Sequence, residues 1–185
     1  MHNSCISLAK ETLVVKNEFV KYLLNNEDVK PIGLGARDRL RLEAGLCLYG
    51  HDIDQNTSPT EAGLNWAISK KRRKNGSRSG NFLGAERILN EISYGTKIKR
   101  VGILPTGRAP MREGVELFKD LNDMTPIGRI TSGGFGPTVQ KAISMGYIQT
   151  DYASVGTKIF ADIRGKRMEA SITTLPFTNL NFKRS

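Results

Sequence analysis

Cysteine and histidine are nearly missing from this chain, at two each in 185 residues. Two cysteines, Cys5 and Cys47, cannot frame a disulfide scaffold in a protein of this length, so a reducing, cytoplasmic setting is expected. With His2 in a ragged start, only His51 is a histidine candidate for chemistry. A lone histidine beside Asp52 and Asp54 reads as a turn residue, so no metal site is expected. There is no CxxC pair, no HExxH and no Gly-rich lysine loop of the nucleotide-binding kind. No complete catalytic constellation is visible, and no catalytic residue is assigned. Long apolar runs are lacking too: Leu13-Val14-Val15 is far too short to cross a bilayer, so no membrane partner is expected. Met1 to Leu13 has neither the basic start nor the apolar core of a secretory signal. Acidic residues are scarce, 18 against 28 Lys and Arg.

That deficit is uneven. Residues 1–69 hold 7 Lys/Arg against 9 Asp/Glu, and residues 70–185 hold 21 against 9. A basic C-terminal portion suits an anionic partner, although a solvated surface of one sign gives the same composition. Nucleic acid is not the expected partner, because the basic stretches lack interleaved aromatics. A hydrophobic content of 38% with 25% charged residues belongs to a folded globular chain.

The periodicity predicts helices over Ser7–Asn25 and about Ala36–Ala44, the second closed by Gly45. Ser58, Pro59 and Glu61 carry the pattern of a capping box. Leu64 to Ile68 alternates as a strand would. Residues 69–80, SKKRRKNGSRSG, hold six basic residues and read as an exposed linker or long loop. A short helix is expected at Gly84–Ile92. Beyond it, short extended runs at 97–104, 116–118, 126–131, 146–148, 158–163 and 168–173 have the rhythm of a small all-β barrel. Arg164-Gly165-Lys166 is the expected turn of the last hairpin. Ser132-Gly133-Gly134-Phe135-Gly136 reads as a β-turn rather than a phosphate cradle. Cys47 between two leucines reads as an inert buried thiol.

The densest stretch is Gly33 to Asp54, GLGARDRLRLEAGLCLYGHDID, where Arg37, Asp38, Arg41 and Glu43 crowd one short helix. Such charge density on a half-buried element requires partners. This stretch, followed by TSPTEAGLNW, RVGI at 100–103, APMREG at 109–114, IGRITSGGFGPTVQKAISMGYI at 127–148 and LPF at 175–177, resembles the T-protein of the glycine cleavage system. Folate-dependent demethylases are relatives. The likeness is collinear from about Val29 to Phe177 and implies an α+β fold: part of the folate-binding body over residues 1–75, then a C-terminal antiparallel β-barrel over 81–185.

The resemblance implies a tetrahydrofolate-dependent aminomethyltransferase of glycine degradation. Such an enzyme moves the methylene of the aminomethyl group on lipoylated H-protein to tetrahydrofolate, releasing ammonia. It covers the C-terminal half of such proteins. The acidic residue and the pterin-contacting glutamate of the preceding region have no counterpart here. The chain is therefore expected to be truncated and inactive alone, with a separately encoded N-terminal half as one partner. A non-catalytic folate- or H-protein-binding module is the alternative.

Carried over by position, Arg37 matches an arginine that contacts folate, Trp66 a tryptophan near the pterin and aminobenzoate cavity, and Arg100 an arginine supporting the active site. Each has a plainer reading. Arg37 could pair with Asp38 or Glu43, Trp66 could be a core aromatic, and Arg100 could brace an interface. The family's C-terminal tyrosine is not transferred to Phe182 or Lys183.

Overall fold

The computed structural model describes residues 17–179. Two compact units divide the chain, Met1–Arg37 and Asp38–Ser185. In the first, residues 17–24 are helical, with Phe19, Val20, Leu23 and Leu24 exposed. The remainder of the expected Ser7–Asn25 helix falls mostly outside the described residues, as do His2, Cys5, Phe182 and Lys183.

Helix α1 runs from Leu34 to Glu43. Gly45, at a φ of 65°, stops it: the Leu46 N–H donates to the Arg41 carbonyl at 2.8 Å and the Gly45 N–H to Leu42 at 3.0 Å. Those two bonds satisfy carbonyls that the helix end leaves open, which is why a residue without Cβ follows Ala44. The capping box forms as expected. The Ser58 N–H donates to the Glu61 carboxylate at 2.9 Å, and the Glu61 N–H to Ser58 Oγ at 3.0 Å. Only one turn follows before Gly63 reverses the chain.

One expectation fails in the next stretch. Leu64–Ile68 is not a strand; Asn65–Ala67 forms a 3-10 turn. The Ala67 and Ile68 N–H groups bond locally to Leu64 and Asn65, so the alternation of apolar residues finds no neighbouring strand. Residues 69–80 form the exposed loop expected, but an ordered one. Lys70–Arg72 forms another 3-10 turn, and two of the six cations tie the loop to itself. Arg72 donates to the carbonyls of Gly80 and Asn81, and Arg73 to those of Ile68 and Asn65. Composition counted these arginines as solvated charge, whereas their forks satisfy loop carbonyls. Helix α2, Ala85–Tyr94, starts after a left-handed Gly84.

Six strands then close an antiparallel barrel: β1 Ile98–Pro105, β2 Glu116–Phe118, β3 Gly128–Gly136, β4 Lys141–Gln149, β5 Lys158–Ile163 and β6 Lys166–Thr173. Around the barrel the order is β1-β4-β3-β2-β5-β6. Arg164 and Gly165, both at positive φ, make the two-residue turn between β5 and β6. Alternate side chains fill the interior: Val101, Ile103, Ile130, Ile148, Ile159, Ala170 and Ile172, joined by Leu117, Met111 and Ile127. Each fully buried aliphatic of this size contributes about 1.5–3 kcal/mol. A barrel this small leaves no lumen once those residues are in place.

Ser132–Gly136 is not a turn. It is the second half of β3, paired with β4 through Gly136↔Lys141. Its glycines serve close approach: a Cβ on Gly133 would collide with the Met111 carbonyl, and one on Gly134 with the Arg39 guanidinium. On the outside of the barrel, Leu42 packs on Ile143 and Met145, with Leu104, Val139, Leu175 and Phe177 around them.

Candidate functional site

Three charges of the Gly33–Asp54 stretch, Arg41, Glu43 and Asp52, find partners on the barrel wall. Asp52 is buried and accepts from Arg41 Nη1 at 2.5 Å, from the Leu48 N–H at 2.9 Å, and from Thr131 Oγ1 and Ser132 Oγ at 2.5 and 2.9 Å. Consecutive strand residues ordinarily point to opposite faces. Here a bulge between Ile130 and Ser132 supplies one extra residue, so Thr131 and Ser132 reach the same carboxylate. Arg41 also donates to Asp38 and to Ser132 Oγ. The Tyr147 hydroxyl donates to the Asp52 carbonyl at 2.8 Å, and burial pushes its pKa well above the usual phenol range.

Glu43, equally buried, receives the Thr138 and Val139 N–H groups and the Thr138 hydroxyl. It holds the β3–β4 connection against α1. Both carboxylates thus have structural work, and Asp52 also lines a hollow of about 230 Å³ together with His51, Asp54, Glu61 and Arg129. Asp38 and Glu43, the partners foreseen for Arg37, are engaged by Arg41 and by the 138–139 backbone.

Arg100 is the hub on the other side of the helix end. Its Nε donates to the Ala62 carbonyl at 2.8 Å, and its Nη1 to the Gly45 carbonyl at 2.7 Å and towards Met145 Sδ at 3.3 Å. One guanidinium on β1 therefore clamps the end of α1, the capping-box turn and β4. With Nε and Nη1 turned to main-chain oxygens, it positions these segments.

Trp66 is not a core residue: its side chain is 77% exposed. It forms a wall of an open hollow of about 280 Å³ that also touches Cys47, Leu64, Arg100 and Leu175. No carboxylate lines this hollow. Trp66 and Arg100 are thus brought together, whereas Arg37 belongs to the first unit, where it is exposed. The Cys47 thiol is half-buried, and burial raises its pKa, with Arg100 acting in the opposite direction. Sequence reasoning missed Asp52 as the organiser of the segment. The signal was present as an Asp two residues after Gly50, but its meaning depends on hydroxyls 79 and 80 positions away.

His51, expected as a turn residue, lies in a turn and meets the Glu113 carboxylate at 2.6 Å. Among the described residues no helix is long and apolar enough to cross a membrane, and no cluster of metal-ligating side chains occurs.

Two family models match the chain. The family model for the GCVT N-terminal domain matches residues 20–72, and that for the glycine cleavage T-protein C-terminal barrel domain matches residues 99–179. Aminomethyltransferase, mitochondrial, from Flaveria trinervia is 47% identical over 174 residues, covering 93% of this chain and 40% of that protein. The protein of the same name from Solanum tuberosum is 49% identical over 162 residues, covering 86% of this chain and 38% of its own length. A solved structure, the glycine cleavage system aminomethyltransferase T from Bartonella henselae, superposes with a TM-score of 0.78 at 41% identity, covering 88% of this chain and 43% of that one. The chain spans about two fifths of the length of these relatives. The bulge-built Asp52 centre, the Arg100 clamp and the six-stranded barrel are therefore features of a chain that belongs to the glycine cleavage T-protein family.

Proposed function

We propose that this chain supplies the folate-facing hollow and the barrel of a tetrahydrofolate-dependent aminomethyltransferase of glycine degradation. In the assembled enzyme, the methylene of the aminomethyl group on lipoylated H-protein passes to tetrahydrofolate, and ammonia leaves. The observation that carries this reading is the exposed Trp66 indole, standing beside the Arg100 clamp in an open hollow. An indole face is a good platform for a flat pterin. Arg37 is the proposed contact to the folate, through its forked donors. Arg100 supports the hollow by holding Gly45 and Ala62 in place.

Transfer between two carriers depends on positioning and on one proton-transfer group. The hollow beside Trp66 has no carboxylate in its lining, which favours a second reading alongside the first. On that reading the chain alone is a non-catalytic folate- or H-protein-binding module. A related folate-dependent demethylase would use the same hollow with a different methyl donor. The compartment is read as cytoplasmic from the scarcity of cysteine. The named plant relatives are mitochondrial proteins, so cell fractionation is the deciding observation.

The test uses the single tryptophan of the sequence as a reporter. Titration with 5-formyltetrahydrofolate should quench Trp66 emission and release heat in a calorimeter, and Trp66→Ala should weaken the heat. Absence of any heat or quench at millimolar ligand would remove the folate reading. Turnover with lipoylated H-protein only on addition of an N-terminal half would establish the completed enzyme.

A further inference from the structure

The ordered loop at residues 69–80 spends two of its cations on main-chain oxygens and leaves four without a counter-charge. Lys70, Lys71, Lys74 and Arg78 are exposed, and none joins an ion pair among the described residues. No Asp or Glu occurs in the sequence between Glu61 and Glu86. The two legs of the loop are held side by side. The Arg78 N–H donates to the Lys71 carbonyl at 3.0 Å, and the Gly80 N–H to the Arg72 carbonyl at 3.0 Å. A Cβ on Gly76 would strike the Lys71 carbonyl, so the tip closes only around a glycine. Like charges gathered on one ordered surface repel each other, and an anionic partner relieves that repulsion without having to order the loop.

The same loop leads into an apolar point. Leu83 is 98% exposed. It stands just beyond the Gly80 and Asn81 carbonyls that Arg72 grips, where the Ala85 N–H donates to the Phe82 carbonyl at 3.1 Å and turns the chain. A single leucine on a surface means little by itself. Beside four unpaired cations it discriminates between partners. A dissolved polyanion engages the cations and offers Leu83 nothing. The interface of an anionic bilayer takes both, because its phosphates meet the cations and its acyl boundary receives the leucine. Contact of this kind needs no spanning helix, so the shortness of the apolar runs does not bear on it.

We propose that residues 69–84 form a docking surface for anionic lipid bilayers, with Lys70, Lys71, Lys74 and Arg78 on the headgroup phosphates and Leu83 in the acyl boundary. The loop lies on the membrane and does not cross it. None of these five side chains lines the Trp66 hollow, so the surface stands or falls apart from the folate reading. The attraction weakens with added salt, because the four charges are exposed.

The test is sedimentation of the full chain with two kinds of vesicle, phosphatidylcholine alone and phosphatidylcholine mixed with phosphatidylglycerol. The chain should sediment with the mixed vesicles and not with the neutral ones, and salt should release it. Lys70→Gln, Lys71→Gln, Lys74→Gln and Arg78→Gln together should lower partitioning about a hundredfold or more. Leu83→Ser should lower it about fivefold and leave the salt dependence unchanged. All five positions are exposed, and an unchanged melting curve verifies each fold. A net charge of +10 attracts a chain to anionic surfaces in general. The control is therefore Gln at Lys99, Lys119, Lys141 and Lys166, which are equally exposed and form no ion pair, and it should retain most of the binding. An equal loss in the control would overturn the loop as the site. Failure to sediment with the mixed vesicles would overturn the proposal outright. Unchanged binding by Leu83→Ser would overturn the lipid assignment, and retention of a single-stranded RNA through the same four cations would then reassign the loop.

Discussion

Arg41 and Asp52 meet at 2.5 Å, with the Asp52 side chain fully buried and that of Arg41 only 14% exposed. The carboxylate also takes both hydroxyls of the β3 bulge, so one ion pair fastens the α1 segment and the following loop to the barrel wall. Buried pairs of this kind contribute little net stability over an apolar substitute, yet losing one partner is expensive.

Asp52→Asn should therefore lower unfolding free energy by about 3 kcal/mol, at the low end for a broken buried pair because Asp38 still faces Arg41. Urea denaturation measures the loss. Adding Arg41→Met should recover part of it, since the stranded cation is then gone. A double variant less stable than Asp52→Asn would contradict the account.

Gly133→Ala is expected to prevent the barrel from closing. Its Cβ would occupy the space of the Met111 carbonyl and crowd Ser144 Oγ, which donates to that same carbonyl. Backbone cannot yield as a flexible side chain can, and overpacking here should cost about 3 kcal/mol or more. Circular dichroism and amide spectra should show lost β-structure; a native spectrum with an unchanged melting temperature would refute the close approach.

Arg100→Lys should damage the hollow without removing the charge. An ammonium is a point donor and cannot reach the Ala62 and Gly45 carbonyls together as the guanidinium does. The expected loss is about 1–3 kcal/mol, with faster hydrogen exchange around Gly45 and Ala62. Equal exchange in the two proteins would show that charge alone suffices.

Cys47 should resist alkylation at neutral pH. Burial holds the thiol above its ordinary range, so the reactive thiolate forms only at more alkaline pH. In a Cys5→Ser background, the modification rate should still be rising above pH 9. Arg100→Ala should delay it further, because the cation that favours the thiolate is gone. Because this pKa is raised in the folded state, an acid group kept protonated, the thiol stabilises the fold at lower pH. That contribution is lost as pH rises above the unfolded thiol value.

Asp54 behaves in the opposite sense. Its carboxyl is held below the usual range by the Thr57 hydroxyl and the Asn56 N–H. Its contribution is present at neutral pH and is lost as pH falls through the folded value. Asp54→Asn should flatten the acid limb of the stability profile, measured by melting temperature between pH 3 and pH 6.

Local signals in the sequence were enough for much of this protein. Gly45 ends α1 because its neighbours need a left-handed residue there, and Ser58 with Glu61 closes its turn from four residues alone. The strands β1, β2, β5 and β6 were legible as short extended runs set off by Gly, Pro, Asn and Asp. The long collinear motifs identify the family without any coordinates. Other features depend on partners distant in the chain. Leu64–Ile68 alternates like a strand but has no strand to pair with, and Arg72 and Arg73 spend their charge on carbonyls that only the folded loop brings near. Gly133 and Gly134 mark close contact rather than a turn, because Met111 and Arg39 arrive from elsewhere. Only the tertiary structure could decide that Trp66 faces solvent and that Asp52 is the buried organiser: burial and hydrogen-bond partners are properties of the assembled surfaces, not of any short window of residues.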